Sequence, residues 1–573
     1  MTRHWRLTAA CLSALAIVGC KAAEPPPFNP RQLERAEREA PDTGVEERVM
    51  PPLPSTLQSP FPEEDQRGEG PPPTTGVSFD AGPTVYMTLQ EIVQRAVANS
   101  LDVKVAGYAP AIDETRVVEA EARFDPTFFI GGQIEHRDRT AAGGSAFGLV
   151  GQEPFNDEAN IYTLQTGIRQ LLSSGGQVEL RQQNSRSNFS PSRFNPEPYY
   201  ESELVLQVTQ PLLRDFGNEV NRARISIARN NQKSSLLDFR VQLERTLSDL
   251  EERYWQLARA QREVRIQEEL LDRTNSTALI LLRRADQDVT RLQISQANAE
   301  VENRRGELVR AKARVRDISD QIKRLMNDPD MPVTSGLLIL PADDEITDPI
   351  HFDLQDQINT AMANRPELGQ QMLRVDSASI ASRVARNNLL PQLNLVGSVG
   401  VQGLNGDIGG SVEDQVGFSN ISYTLGLQME IPIGNRAARA IYSRAIFQRQ
   451  QAIDQYEGIT KQVALEVKLA LREVRTAWDE MVQSGRARFA AGDALEAIQQ
   501  REEAQEPLTP EFVDRKLRQQ EILAQAQRGE AAAIANYNTA IMRLEQAKGT
   551  LLRYNNVIMA EHETPLLKTY SVR

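Results

Sequence analysis

One stretch of this chain recurs 265 residues later, and that recurrence limits the fold more than any other feature. The run MTLQEIVQRAVANSLDV aligns with FDLQDQINTAMANRPEL, pairing Leu89 with Leu354, Gln90 with Gln355, Ala96 with Ala361, Ala98 with Ala363 and Asn99 with Asn364. Pro126 and Pro391 keep the same offset, so each copy runs 37 positions from leucine to proline. Shared landmarks at a shared spacing mark an internal duplication, and the fold must be built from two like halves.

Each copy reads as helix up to its proline, because the ring removes an N–H donor and holds the preceding residue away from helical angles. The pattern then changes to period two. After Pro391, Leu393, Leu395, Val399 and Val401 fall on one face and Gln392, Asn394, Ser398 and Gln402 on the other. After Pro126, Phe128, Ile130 and Ile134 oppose Thr127, Gln133 and Glu135. The return runs ESELVLQVTQP and YTLGLQMEIP alternate in the same way. Strands of roughly ten residues with one apolar and one polar face match what a tilted membrane strand requires. A single such strand reads equally as half of a soluble sheet, whereas four paired by duplication favour the membrane. No segment carries eighteen consecutive apolar residues, so a crossing by helix is excluded. The first copy holds two further strand-like runs, IYTLQTGIRQ and GQVELRQQN around LLSSGG, which read as an added hairpin outside the membrane. The Gly-rich GLNGDIGG and TAAGGSAFG read as extracellular loops.

After each return strand comes a long helical stretch. Asn218 to Asp286 gives 69 residues without a proline, a length of roughly 100 Å if fully helical. Leu243, Leu247, Leu250, Tyr254 and Leu257 advance by four and three, as do Val463, Val467, Ala470, Val474, Ala477 and Met481, the spacing of a coiled-coil seam. Reversals are expected at RRADQDVTRLQ and EEAQEPLTPEFVDR, with return helices ending near Asn327 and Asn556. Each return helix together with its leading helix nearly equals one long helix, so two short helices should lie beside one long one, twice.

The first twenty residues supply an address. MTRHWR is basic, LTAACLSALAIV apolar, and IVGC puts a small residue before Cys20. This resembles a bacterial lipoprotein signal, which implies cleavage before Cys20 and covalent lipid on it. Lys21 in place of aspartate implies sorting to the outer membrane. Residues 21–83 hold fourteen prolines and few large apolar residues, so this part should be an extended linker. A net charge of -13 with interspersed basic residues argues against nucleic acid and leaves protein, membrane or cationic solute as partners. Low aromatic content (6%) and a mean hydropathy of -0.45 favour extended helices over a thick core.

The landmarks AVANS and AMANRPEL, the LLPQLNL switch, LQVTQPLLRDFGNEVNRARISIA and ANYNTAIMRLEQAKGTLL, in this order and spacing, resemble the TolC family of outer membrane efflux proteins. The resemblance implies an α+β fold: an all-antiparallel transmembrane β-barrel with about four strands per subunit, closed by trimerisation and continued by a long periplasmic α-helical coiled-coil barrel. The domains would be a signal peptide (1–20), a linker (21–83), two repeats (84–341 and 342–556) and a tail (557–573). Pro126 and Pro391 would sit where tunnel becomes barrel. The implied function is a passive exit duct working with a periplasmic adaptor and an inner-membrane transporter, with the tunnel projecting from the outer membrane into the periplasm. The same fold serves type I protein secretion, and a lipid-anchored periplasmic coiled-coil scaffold is the reading from another class.

Family members often carry acidic side chains at the entrance, and Asp286, Asp288, Glu511 and Asp514 at the expected reversals are the gate candidates. Each reads equally as a solvated charge on a helical turn. Where the family commonly has a glycine at the reversal, this chain has Ala285 and Asp286 in one and Pro507 and Pro510 in the other. No phosphate loop or nucleophile elbow is present, and His136, His351 and His562 are scattered singly. Neither an enzyme, nor a cofactor, nor a metal site is therefore expected.

Overall fold

The computed structural model describes residues 83–141, 155–190, 195–285, 289–418, 420–504 and 509–557. Cys20, the signal segment and all of the linker before residue 83 lie outside them, as does most of TAAGGSAFG.

The 265-residue offset reappears in the leading helices and in the strands that follow the two prolines. Helix α1 (Leu89–Asn99) and helix α6 (Leu354–Asn364) start at the paired leucines. Thr88 caps α1 in a capping box with Glu91, and Asp353 caps α6 by accepting from the Asp356 backbone. The leading helix expected in each copy is in fact two. Ser100 and Arg365 leave helical angles with ψ of 130 and 118, and α2 (Leu101–Glu121) and α7 (Pro366–Asn387) follow. In the second copy the cause is legible, since Pro366 takes the first helical position, where no N–H donor is needed.

Strands β2 (Thr127–Ala141), β3 (Phe155–Leu171), β4 (Gln177–Ser190), β5 (Tyr199–Pro211), β7 (Gln392–Asn405) and β8 (Asn420–Glu430) form one six-stranded sheet in that order. Every pairing in it is antiparallel, with β2 and β8 at its two edges. The sheet is therefore not closed within one chain, and it holds six strands where about four were expected. The additional two, β3 and β4, expected as an added hairpin outside the membrane, pair between β2 and β5 in the same sheet. Separately, β1 (Thr84–Met87) pairs in parallel with β6 (Leu338–Pro341), a two-stranded stitch the sequence reading did not foresee.

The remaining chain is helical: α3 (Asn218–Asn221), α4 (Ala223–Arg283), α5 (Arg291–Met326), α8 (Ile408–Val416), α9 (Arg436–Glu503), α10 (Pro510–Lys548) and α11 (Leu551–Tyr554). Helix α4 packs against both α2 and α5, and α9 against both α7 and α10. The copies also meet, since α4 touches α7 and α10. The residues of the two seams are buried, from Leu243 to Leu257 in α4 and from Val463 to Met481 in α9. Turns end where left-handed residues allow them, at Asn327 (φ 50) after α5 and at Gly549 (φ 69) after α10. No helix among the described residues is long and apolar enough to cross a membrane.

Several ionisable groups are buried in this packing, Glu251 among them. Glu251 on α4 is 1% exposed and accepts from Asn555 Nδ2 at 3.2 Å. Burial pushes its carboxyl up to about 7, and the nearby Glu545 adds to the rise. The native state thus holds a proton that the unfolded chain releases at lower pH. The associated stability is complete below the ordinary carboxylate range and is lost as pH rises through about 7. Glu251→Gln is expected to flatten this slope and to gain up to about 3 kcal/mol at alkaline pH. Thermal unfolding of both proteins from acid to alkaline pH measures it, and parallel curves would refute the assignment.

Candidate functional site: the two-faced sheet, its junction and the helical tip

The strand register sorts side chains onto two faces. Residues paired across antiparallel strands share a face, so Phe128, Ile168, Leu180, Leu206, Val399 and Tyr423 form one row through all six strands. Ile134, Tyr423 and Leu425 on this side are 77%, 83% and 77% exposed, an open apolar surface that water would not tolerate over such a width. The opposite face is polar, with Gln165 Nε2 donating to Gln183 Oε1 at 3.1 Å and Gln402 Nε2 to Glu201 Oε1 at 2.5 Å. Side chains with two or more polar atoms pair along this face while still reaching solvent.

Pro126 stands immediately before β2 and Pro391 immediately before β7. At this end the copies interlock. The Leu212 N–H donates to Leu393 O and the Asp215 N–H to Asn387 Oδ1, each at 2.7 Å, while within the second copy Asn435 Nδ2 donates to Leu389 O at 3.1 Å. The turn between β3 and β4 docks here too. Gly217 N–H donates to Ser174 O at 3.0 Å, and Asn221 Nδ2 to Asp215 O at 2.8 Å. Gly175 has φ 92, and a Cβ there would lie 2.2 Å from Asp215 O, so both angle and space require glycine. The LLSSGG turn is therefore fitted to the strand–helix junction.

At the other end of the helices, the two hairpins share a small core of Leu281, Val289, Ala297, Phe512 and Val513. Thr290 and Thr509 cap α5 and α10, and Pro510 opens α10. Of the four gate candidates, Asp286 and Asp288 lie outside the described residues. Glu511 is exposed in the first turn of α10, where its charge suits the helix N-terminus. Asp514 is exposed and pairs with Arg518 at 2.7 Å on its own helix. The structure does not bring Glu511 and Asp514 into one cluster with other acids among the described residues.

Sequence reasoning missed the buried pair beside them: Lys516 Nζ meets Glu502 Oε2 at 2.5 Å with side-chain exposures of 6% and 18%, joining α9 to α10. Gln520 Nε2 donates to Thr277 Oγ1 at 3.2 Å and ties α10 to α4. A lysine on a helix whose neighbouring positions Phe512 and Val513 are apolar was the available signal. Lys516→Ala leaves Glu502 uncompensated, and the cost should fall at the lower end of roughly 3–5 kcal/mol. It should be local, read as faster amide exchange around residues 512–520 with no change near Leu250.

Among the described residues no group of His, Cys, Asp and Glu could hold a metal ion. His136 Nδ1 lies 2.8 Å from Asn160 Oδ1 on the next strand.

An amphipathic sheet that continues through a proline switch into long paired helices is the arrangement the comparisons match. Residues 357–504 match the family model described as Outer membrane efflux protein. The outer membrane protein VceC of Vibrio cholerae superposes with a TM-score of 0.57 at 15% identity, over 80% of this chain and 96% of that one. The outer membrane channel CmeC of Campylobacter jejuni gives 0.57 at 15% identity over 84% and 95%. The open state of the Neisseria gonorrhoeae channel MtrE gives 0.54 at 15% over 81% and 89%. Comparison with curated protein sequences gives no match. The resemblance to the outer membrane efflux proteins therefore holds, in sequence over most of the second copy and in fold over four-fifths of the chain or more. These relatives are outer-membrane channels, not enzymes.

Proposed function

We propose that this protein is a passive outer-membrane exit duct, three copies of which close their sheets into one barrel. The observation that carries the reading is the single sheet with an exposed apolar face, a polar face and two unpaired edges. Six strands are fewer than the eight of the smallest membrane barrels, and open edges are untenable in lipid, so closure needs further copies. Strand β2 leaves the helical end and β8 returns to it, so β8 of one copy meets β2 of the next in the antiparallel sense. Lipid on Cys20 would anchor each copy, and the helices would carry the duct into the periplasm toward an adaptor and an inner-membrane transporter that drive the export of small molecules. Purified protein in a planar bilayer should give discrete single-channel currents. A chain that stays monomeric and soluble without detergent and passes no current would overturn the proposal.

A further inference from the structure

The run GLNGDIGG, expected as an extracellular loop, ends in the first turn of helix α8, and that helix is folded onto the sheet. It packs on β5 and β7, and its contacts show which face. Gly403 pairs with Ser202, and Leu204 pairs with both Gln182 and Val401, so all five positions lie on the apolar side. Ser202 Oγ and Ser411 Oγ lie 2.9 Å apart, and both residues are 0% exposed. Gln182 and Gln415 exchange a pair of amide bonds at 3.2 and 2.9 Å. A Cβ on Gly403 would stand 2.0 Å from Ser411 O, so the helix rests on bare backbone. The apolar face is thus interrupted by Gln182, Ser202 and Gly403 where α8 covers it.

What α8 turns away from the sheet is an apolar stripe flanked by the exposed Glu413. Ile408, Val412 and Val416 recur every fourth residue and are 56%, 40% and 67% exposed, and Phe418 beyond them is 63% exposed. This inverts the usual amphipathic helix, which hides its apolar stripe. The inversion makes sense where the surroundings are hydrocarbon: buried polar groups must pair within the protein, and outward groups should be greasy.

We propose that α8 is a lipid-contacting cover that sits at the boundary of acyl chains and headgroups on the outward side of the sheet, the bilayer being its occupant. The inference rests on the barrel reading above, and the continuity of α8 with the apolar face argues for lipid rather than a second protein. Its polar side satisfies Gln182 and Ser202, and its stripe of Ile408, Val412 and Val416 restores the apolar surface those residues break. The exposed Glu413, outside that stripe, suits headgroup depth better than the hydrocarbon core.

The test places a tryptophan reporter in the full-length protein, in vesicles whose acyl chains are brominated near the headgroup. Val412→Trp should show blue-shifted emission quenched to the extent seen for Tyr423→Trp on the sheet, while Phe447→Trp on α9 should not be quenched. The native Trp255 and Trp478 lie in helices α4 and α9, and Trp5 lies in the segment expected to be the signal; the unaltered protein measures the background they give. Quenching of Tyr423→Trp without quenching of Val412→Trp would overturn the cover and leave the barrel standing; blue emission from that unquenched residue would mark a protein neighbour instead. Loss of quenching at both sites would overturn the barrel reading and the cover with it. If Val412→Trp fails to assemble, a nitroxide on Val412→Cys, read by collision with oxygen against a water-soluble nickel chelate, decides in the same way.

Discussion

Leu206→Arg should cost about 2–4 kcal/mol in a bilayer, while Gln207→Arg, one position along the same strand, should cost less than about 1. Leu206 stands in the apolar row with Leu180 and Val399 on its two neighbours, and it is 43% exposed in one copy. Its neighbour shares the backbone environment and differs in face alone. In hydrocarbon an arginine at Leu206 must snorkel or draw in water, whereas on the polar face a guanidinium joins charged residues such as Glu203 and Arg181. Equilibrium urea unfolding from lipid vesicles reads both variants against the unaltered protein. Equal penalties would mean that neither face meets lipid, and the barrel reading would fall.

That contrast was legible from the residues alone, because period-two alternation is a local property that survives without knowledge of strand partners. The same holds for Pro126 and Pro391, which stand where helix gives way to strand, and for Leu243 to Leu257, whose spacing of four and three describes a buried stripe. Pairing was less legible. Strands β3 and β4 alternate weakly because Gln182, Asn184 and Arg186 lie in register with Leu204, Ser202 and Tyr200 on the apolar side. Read alone, those residues argue against a membrane strand. Gln182 becomes intelligible once α8 lies over it, and α8 was hidden by its glycines and by having its apolar residues outermost. The signal that could have found it was Asp407 as a cap followed by Ile408, Val412 and Val416 at intervals of four. The break at Ser100 left no such trace, since it carries neither proline nor glycine. For the tip, sequence gave charge without partners: Glu511 and Asp514 are conspicuous acids, yet the buried contact is made by Lys516 and Glu502.

Removing β3 and β4 together should narrow the duct without destroying it. Deleting residues 155–198 would join β2, through the segment after Ala141, to β5. The two run in opposite directions, so they can pair as β2 and β3 do now. Excising an even number of strands keeps every remaining strand in its present sense. Three copies would then contribute twelve strands in place of eighteen. Barrel diameter grows roughly linearly with strand number, so the cross-section should fall to a little under half. The effect belongs to the sheet end and not to the helical tip, so it should appear as exclusion of smaller polyethylene glycols offered from the extracellular side, with the conductance set at the tip changing less. Loss of the hydrogen bonds that Ser174 makes to Gln210 and Gly217 will weaken the junction, and the excised protein should unfold at lower urea concentration. An assembled variant with an unchanged polymer cut-off would mean that β3 and β4 do not line the barrel. Their place between β2 and β5 would then be a feature of the single chain that assembly undoes.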